Sequence, residues 1–125
     1  MRNVLKRTCK MERLRYSIIF AVIRPEISEQ LSIGLIIVDG DKIEVRYSPD
    51  KLNAMQSLFS DKEYQFIAGV VSSMSNSRKV ETIEDVNYLT RYSNNLITVS
   101  PLQSIDISPT KHNKDWLFAN YVYNR

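Results

Sequence analysis

From Tyr16 to Ile23 the chain reads Tyr-Ser-Ile-Ile-Phe-Ala-Val-Ile, apolar at both alternating sets of positions and rich in β-branched and aromatic residues. That pattern predicts a strand covered on both faces. Arg24-Pro25-Glu26-Ile27-Ser28-Glu29-Gln30 interrupts it with a proline and charges, and Leu31 to Val38 resumes as a second strand of the same kind. Asp39-Gly40 comes next, two residues that tolerate the positive φ of tight hairpin turns. Lys42 to Tyr47 then alternates, with Ile43, Val45 and Tyr47 on one side and Lys42, Glu44 and Arg46 on the other. A half-solvated third strand near a sheet edge is expected there. Gly34 inside the second strand points to a bulge or a close backbone approach.

Helical spacing takes over at Ser48-Pro49-Asp50, where a capping serine, a proline at the first helical position and an acid at the positive end start a helix. Leu52, Met55 and Leu58 or Phe59 supply its apolar stripe. Ser60-Asp61-Lys62-Glu63 forms a capping box for a second helix, along which Tyr64, Ile67, Val71 and Met74 recur at helical spacing. The serine-rich, charged stretch from Ser72 to Lys79 reads as an exposed loop. A third cap at Thr82-Ile83-Glu84-Asp85 opens a helix bearing Ile83, Val86 and Leu89, and Asn94-Asn95 ends it. Leu96 to Val99 reads as a strand that Pro101 ends or bends, and Ile105 to Ile107 as an extended edge. After Pro109 a short helix with Trp116, Leu117, Tyr121 and Val122 on its apolar face docks back onto the sheet.

The order is strands first, then helices, a further strand and a final helix. It predicts an α+β fold: a mainly antiparallel sheet of about four strands, led by a hairpin, with three to four helices segregated in sequence. A chain of 125 residues matches one domain in size, and the expected division is a basic N-terminal extension over 1–14 and a single domain over 15–125.

Charge changes the picture at one place only. Residues 1 to 15 hold Arg2, Lys6, Arg7, Lys10, Arg13 and Arg15 against Glu12, a net +5 out of the chain's total of +3, so the remainder is mildly acidic at −2. The leader suits an arm for nucleic acid or a partner, with Arg2, Lys6, Arg7, Lys10 and Arg13 as the contacts; translation from Met11 would remove most of it. No apolar run approaches the ~20 residues that span a bilayer, and no secretory pattern follows the basic start. A cytoplasmic protein without membrane contact is expected. Cys9 is the single cysteine and has no partner for an internal disulfide.

The usual chemistries lack their residues. His112 is the single histidine and sits in the polar stretch Lys111-His112-Asn113-Lys114, so a loop or cap role is expected. No His and Cys set matches a zinc site, and Gly34, Gly40 and Gly69 are too widely spaced for a phosphate-cradling loop. The acidic pairs Glu84 and Asp85, Asp39 and Asp41, and Glu26 and Glu29 fall at helix starts and turns, where acids have structural reasons to occur. No catalytic residue, metal ligand or cofactor is expected. The seven tyrosines mostly adjoin apolar stripes and read as core-rim or interface residues.

Tyr16-Ser17-Ile18-Ile19, Pro25-Glu26 with Glu29, and Ile33-Gly34-Leu35-Ile36 resemble the opening of DUF3037, a bacterial family defined as a domain of unknown function. Asn95-Leu96-Ile97-Thr98-Val99-Ser100-Pro101 and Leu117-Phe118-Ala119-Asn120-Tyr121-Val122 resemble its later segments, so the likeness covers most of residues 15 to 123. Ser32 stands where the family carries asparagine. The resemblance implies no catalytic residues. It implies a partner or regulatory role, since genes of the family look like neighbours of kinase-like genes of the toxin–antitoxin type.

Three functional classes remain. The first is a non-enzymatic interaction module, a homodimer or a binder of a partner protein, because two strands apolar on both faces ask for more cover than three short helices give. The second is a nucleic-acid-binding protein using the basic arm. The third is an enzyme with an unrecognised site.

Overall fold

The computed structural model describes residues 14–27, 29–40, 42–76, 82–91 and 96–122. They form β1 (Leu14–Arg24), β2 (Glu29–Asp39), β3 (Lys42–Tyr47), α1 (Pro49–Ala54), α2 (Asp61–Asn76), α3 (Ile83–Arg91), β4 (Ile97–Val99), β5 (Gln103–Ile105) and α4 (Lys111–Tyr121). The sheet is antiparallel throughout, in the order β3-β2-β1-β4, with β5 beside β4 along the same edge of β1. The fold is α+β.

Local sequence explains most element ends. Asp39 pairs with Lys42 across a two-residue loop, and Gly40 has φ 63°, a left-handed value that glycine adopts without steric cost. The Ser48 hydroxyl accepts the Lys51 N–H at 3.1 Å to cap α1. Both predicted capping boxes close. Ser60 and Glu63 exchange side-chain to backbone bonds of 3.1 Å at the start of α2. Thr82 and Asp85 do the same at 3.2 and 3.1 Å before α3.

Two bulges decide which face each strand residue meets. On β2, Gly34 pairs with Ile19 and Ser32 with Phe20, so Ile33 is an extra residue. A Cβ on Gly34 would come within 3.0 Å of the Arg46 carbonyl oxygen and of Ile19 Cδ1, the close approach that a glycine here permits. Along the other edge of β1, Ile19 pairs with Val99 and Tyr16 with Gln103, so the two residues Ser17 and Ile18 lie against the three residues 100–102. That extra residue turns Ile97 and Val99 to one face and Ile105 to the other.

The result is three layers. On one face Ile19, Ala21, Ile33, Ile36, Val38, Ile97 and Val99 meet Leu52 and Met55 of α1, Ile67, Val71 and Met74 of α2, and Val86 of α3. On the other, Leu14, Tyr16, Leu35 and Ile37 meet Leu117 of α4 and Val122 just beyond it. Each fully buried Leu, Ile or Val here contributes about 1.5–3 kcal/mol of apolar transfer.

Three expectations need correction. Residues 72–76 continue α2 as helix, and only 77–79 of the expected loop lie outside the described residues. Trp116 is 47% exposed, because the buried row of α4 runs through Leu117, Phe118 and Tyr121. The both-faced strands also have more cover than three helices give: α4 takes the second face over Leu14, Tyr16, Leu35 and Ile37, while Ile18, Phe20 and Ile23 stay half-buried.

Candidate interaction surface

Helix α2 carries two apolar rows. Ile67, Val71 and Met74 enter the core, while Phe66, Gly69 and Val70 lie beside them on the adjoining face. With Gln65, Ser73, Met74 and Leu89 of α3 they line an open groove of about 470 Å³. Phe66 is 46% exposed, and among the described residues a Cβ built on Gly69 meets nothing within 4 Å. Tyr88, next to Leu89 in α3, is 60% exposed. The lining offers apolar contact and two uncharged polar side chains, and none of its residues is a general acid or base.

Elsewhere polar groups tie α4 to the sheet. Arg46 on β3 donates from Nη1 to Asp115 Oδ1 at 2.8 Å and from Nε to Glu44 Oε2 at 2.6 Å, and Lys114 Nζ reaches Asp39 Oδ2 at 3.2 Å. The hydrogen bonds from Arg46 and then Lys111 hold the Asp115 carboxyl below its ordinary value. Burial opposes the charge on Arg46, but Glu44 and Asp115 outweigh it and raise its pKa. At the far end of α4, Lys51 Nζ donates to the Val122 carbonyl at 2.6 Å and to Ser32 Oγ at 3.1 Å. Burial lowers the Lys51 pKa, yet a carbonyl at a helix C-terminus favours the ammonium form. The contact is therefore a structural tether, not an activated serine.

The rings of Tyr16 and Tyr121 stack with centroids 5.1 Å apart. The Tyr16 hydroxyl donates to Gln103 Oε1 at 3.0 Å. The neighbouring Tyr121 first, and burial second, push the Tyr16 pKa up to about 12.

The basic residues Arg2, Lys6, Arg7, Lys10 and Arg13, and Cys9 with them, lie outside the described residues. His112 stands exposed in the first turn of α4. Of the acidic pairs, three members have structural partners. Asp85 caps α3, Asp39 pairs with Lys114, and Glu29 lies 3.8 Å from Arg24 across the β1–β2 turn; Asp41 is outside the described residues. Among the described residues no group of three His, Cys, Asp or Glu is placed to hold a metal ion, and no helix is long and apolar enough to cross a membrane.

The groove was missed by the sequence reading, although a signal existed. Phe66 and Val70 sit one position before Ile67 and Val71, widening the apolar arc of α2 beyond what one core-facing stripe needs. The Lys51 tether had no such signal, since Val122 is 71 residues away. Compared with known protein families, curated proteins and solved structures, the chain matches none.

Proposed function

We propose that the chain is a non-enzymatic protein-interaction or regulatory module that self-associates or binds a partner protein. The observation that carries this reading is the open apolar groove between α2 and α3, with Phe66 and Val70 on one wall and Leu89 on the other. Phe66 stays 46% exposed there and belongs to neither packed cluster, while Val70, Met74 and Leu89 reach the groove from the edge of the core. Contiguous apolar surface left outside a completed core favours contact with another protein. Gly69 supports the reading in a second way, because a position without a side chain lets a partner's backbone approach the helix closely.

Light scattering of the full chain over a rising concentration series, paired with pull-down of the tagged chain, reads association directly. Phe66→Glu is expected to reduce partner recovery while circular dichroism stays unchanged, since Phe66 is 46% exposed and lies outside the packed core. A chain that stays monomeric at high concentration and recovers no partner overturns the reading.

A further inference from the structure

The outer edge of β3 matches its own copy. Among the described residues no strand pairs with β3 on the side away from β2. In an antiparallel ladder, alternate residues turn their backbone groups to the same neighbour. The Ser48 N–H bonds the Ile33 carbonyl at 3.1 Å, and the Arg46 carbonyl lies against Gly34, so even-numbered residues face β2. The N–H and C=O groups of Ile43, Val45 and Tyr47 therefore face the open edge. The same three side chains stay only half-buried, although Ile36 and Val38 beside them on β2 are fully buried.

We infer that β3 pairs with β3 of a second copy, antiparallel, about a two-fold axis through Val45. This rests on the reading of the chain as an interaction module and specifies its self-associating surface. The axis sets Val45 opposite Val45, Ile43 opposite Tyr47, and Glu44 opposite Arg46. The odd-numbered pairs are the hydrogen-bonded ones, each exchanging two N–H···O=C bonds. They fall on the apolar face, where the half-buried Ile43, Val45 and Tyr47 gain cover. The Glu44 and Arg46 pairs fall at the closer, non-hydrogen-bonded positions on the charged face. Two carboxylates and two guanidinium groups alternate there.

Charged side chains on an edge strand ordinarily repel a second strand. The spacing on β3 reverses that effect, because glutamate and arginine two residues apart become opposite charges under a two-fold at the residue between them. Along the opposite edge, β4 and β5 are three residues each and the bulge at residues 100–102 separates them. That edge is a poor template for a second strand.

Oxidative cross-linking tests the register in the full chain carrying Cys9→Ser. Val45→Cys is expected to give a covalent dimer, because Cα atoms of a hydrogen-bonded pair stand about 5.5 Å apart, within the span of about 4.4–6.8 Å that a disulfide bridges. Ile43→Cys is expected to give none, since its symmetry mate is displaced four residues along the strand, about 13 Å. In light scattering, Glu44→Lys is expected to weaken dimerisation about tenfold by setting like charges opposite each other. Glu44→Lys and Arg46→Glu chains should each dimerise weakly alone yet regain tight pairing when mixed, an arm that separates lost pairing from a damaged fold. Equal cross-linking at both positions, or a dimer indifferent to the charge changes, overturns the β3 pairing and leaves the interaction reading intact. A monomer that recovers no partner overturns both.

Discussion

Ser100 satisfies both backbone groups of Ile18: its N–H donates to the Ile18 carbonyl at 2.9 Å, and its hydroxyl accepts the Ile18 N–H at 2.8 Å. A regular ladder would use the Ser100 carbonyl for the second bond. The chain instead turns at Pro101 and inserts an extra residue, and the side chain replaces the carbonyl. Ser100→Ala leaves a strand N–H without its partner in the middle of the sheet, at a cost of about 1–3 kcal/mol. Ser100→Thr keeps the hydroxyl and is expected to recover most of that loss. Urea denaturation of the two variants checks it, and equal midpoints would show that the hydroxyl is dispensable.

Gly34→Ala is expected to destabilise by about 1–3 kcal/mol, the usual cost of forcing an extra carbon into a packed site. The introduced carbon would meet the Arg46 carbonyl oxygen at 3.0 Å, and backbone on the neighbouring strand cannot rotate aside as a side chain can. Gly69→Ala is the contrasting control. It meets open space on a helix, so thermal melting should show a small gain.

These contacts mark where sequence reasoning runs out. The Ser60–Glu63 and Thr82–Asp85 boxes and the Gly40 hairpin were legible because their partners lie three residues apart or less. Gly34 was legible as a bulge because few other reasons place glycine inside an apolar strand. The covering of β1 and β2 on both faces was legible from their apolar runs, but the side of α4 that supplies the second cover was not. That cover comes through Leu117, Phe118 and Tyr121, while the neighbouring Trp116, expected inside, faces out. A helix of mixed polarity does not declare its buried side, and its tethers at Arg46, Asp39 and Lys51 come from distant elements. The β3 self-match could be written from sequence, but it gains meaning only once β3 is known to be an edge.

Ser17 is fully buried, and among the described residues its hydroxyl has no hydrogen-bond partner. It shares a face with Ile19 and Ala21 and pairs with Ile36. A buried hydroxyl without a partner costs free energy that folding must offset. Ser17→Ala removes that group with little change of volume, and a gain of about 1 kcal/mol in unfolding free energy is expected. A loss of stability would show that the hydroxyl bonds something within the folded protein.

Acid should loosen α4 before the rest of the domain. The Asp115 carboxyl has a lowered pKa in the fold, so its contribution is present above the unfolded carboxylate value of 3.8 and is lost as pH falls through the lower folded value. Asp115→Asn is expected to remove this acid sensitivity and to lower stability slightly at neutral pH, with Trp116 fluorescence reporting the docking of α4. The carboxylate is exposed, so the neutral-pH change should be small. A wild-type acid transition unchanged by Asp115→Asn would exclude this carboxylate as its source.

At the alkaline end Tyr16 contributes to stability. Its phenol titrates at about 12 in the fold against 10.0 for an unperturbed tyrosine, so the folded state holds its proton more tightly than the unfolded state. The associated stability is therefore fully present below pH 10 and is lost as pH rises towards 12. Absorbance at the phenolate band should show the Tyr16 transition displaced upward from the exposed tyrosines. Tyr121→Leu removes the leading cause of the displacement and leaves apolar cover over the ring, so it should bring the Tyr16 transition down towards 10.0. An unchanged titration in that variant would assign the shift to burial and the Gln103 bond instead.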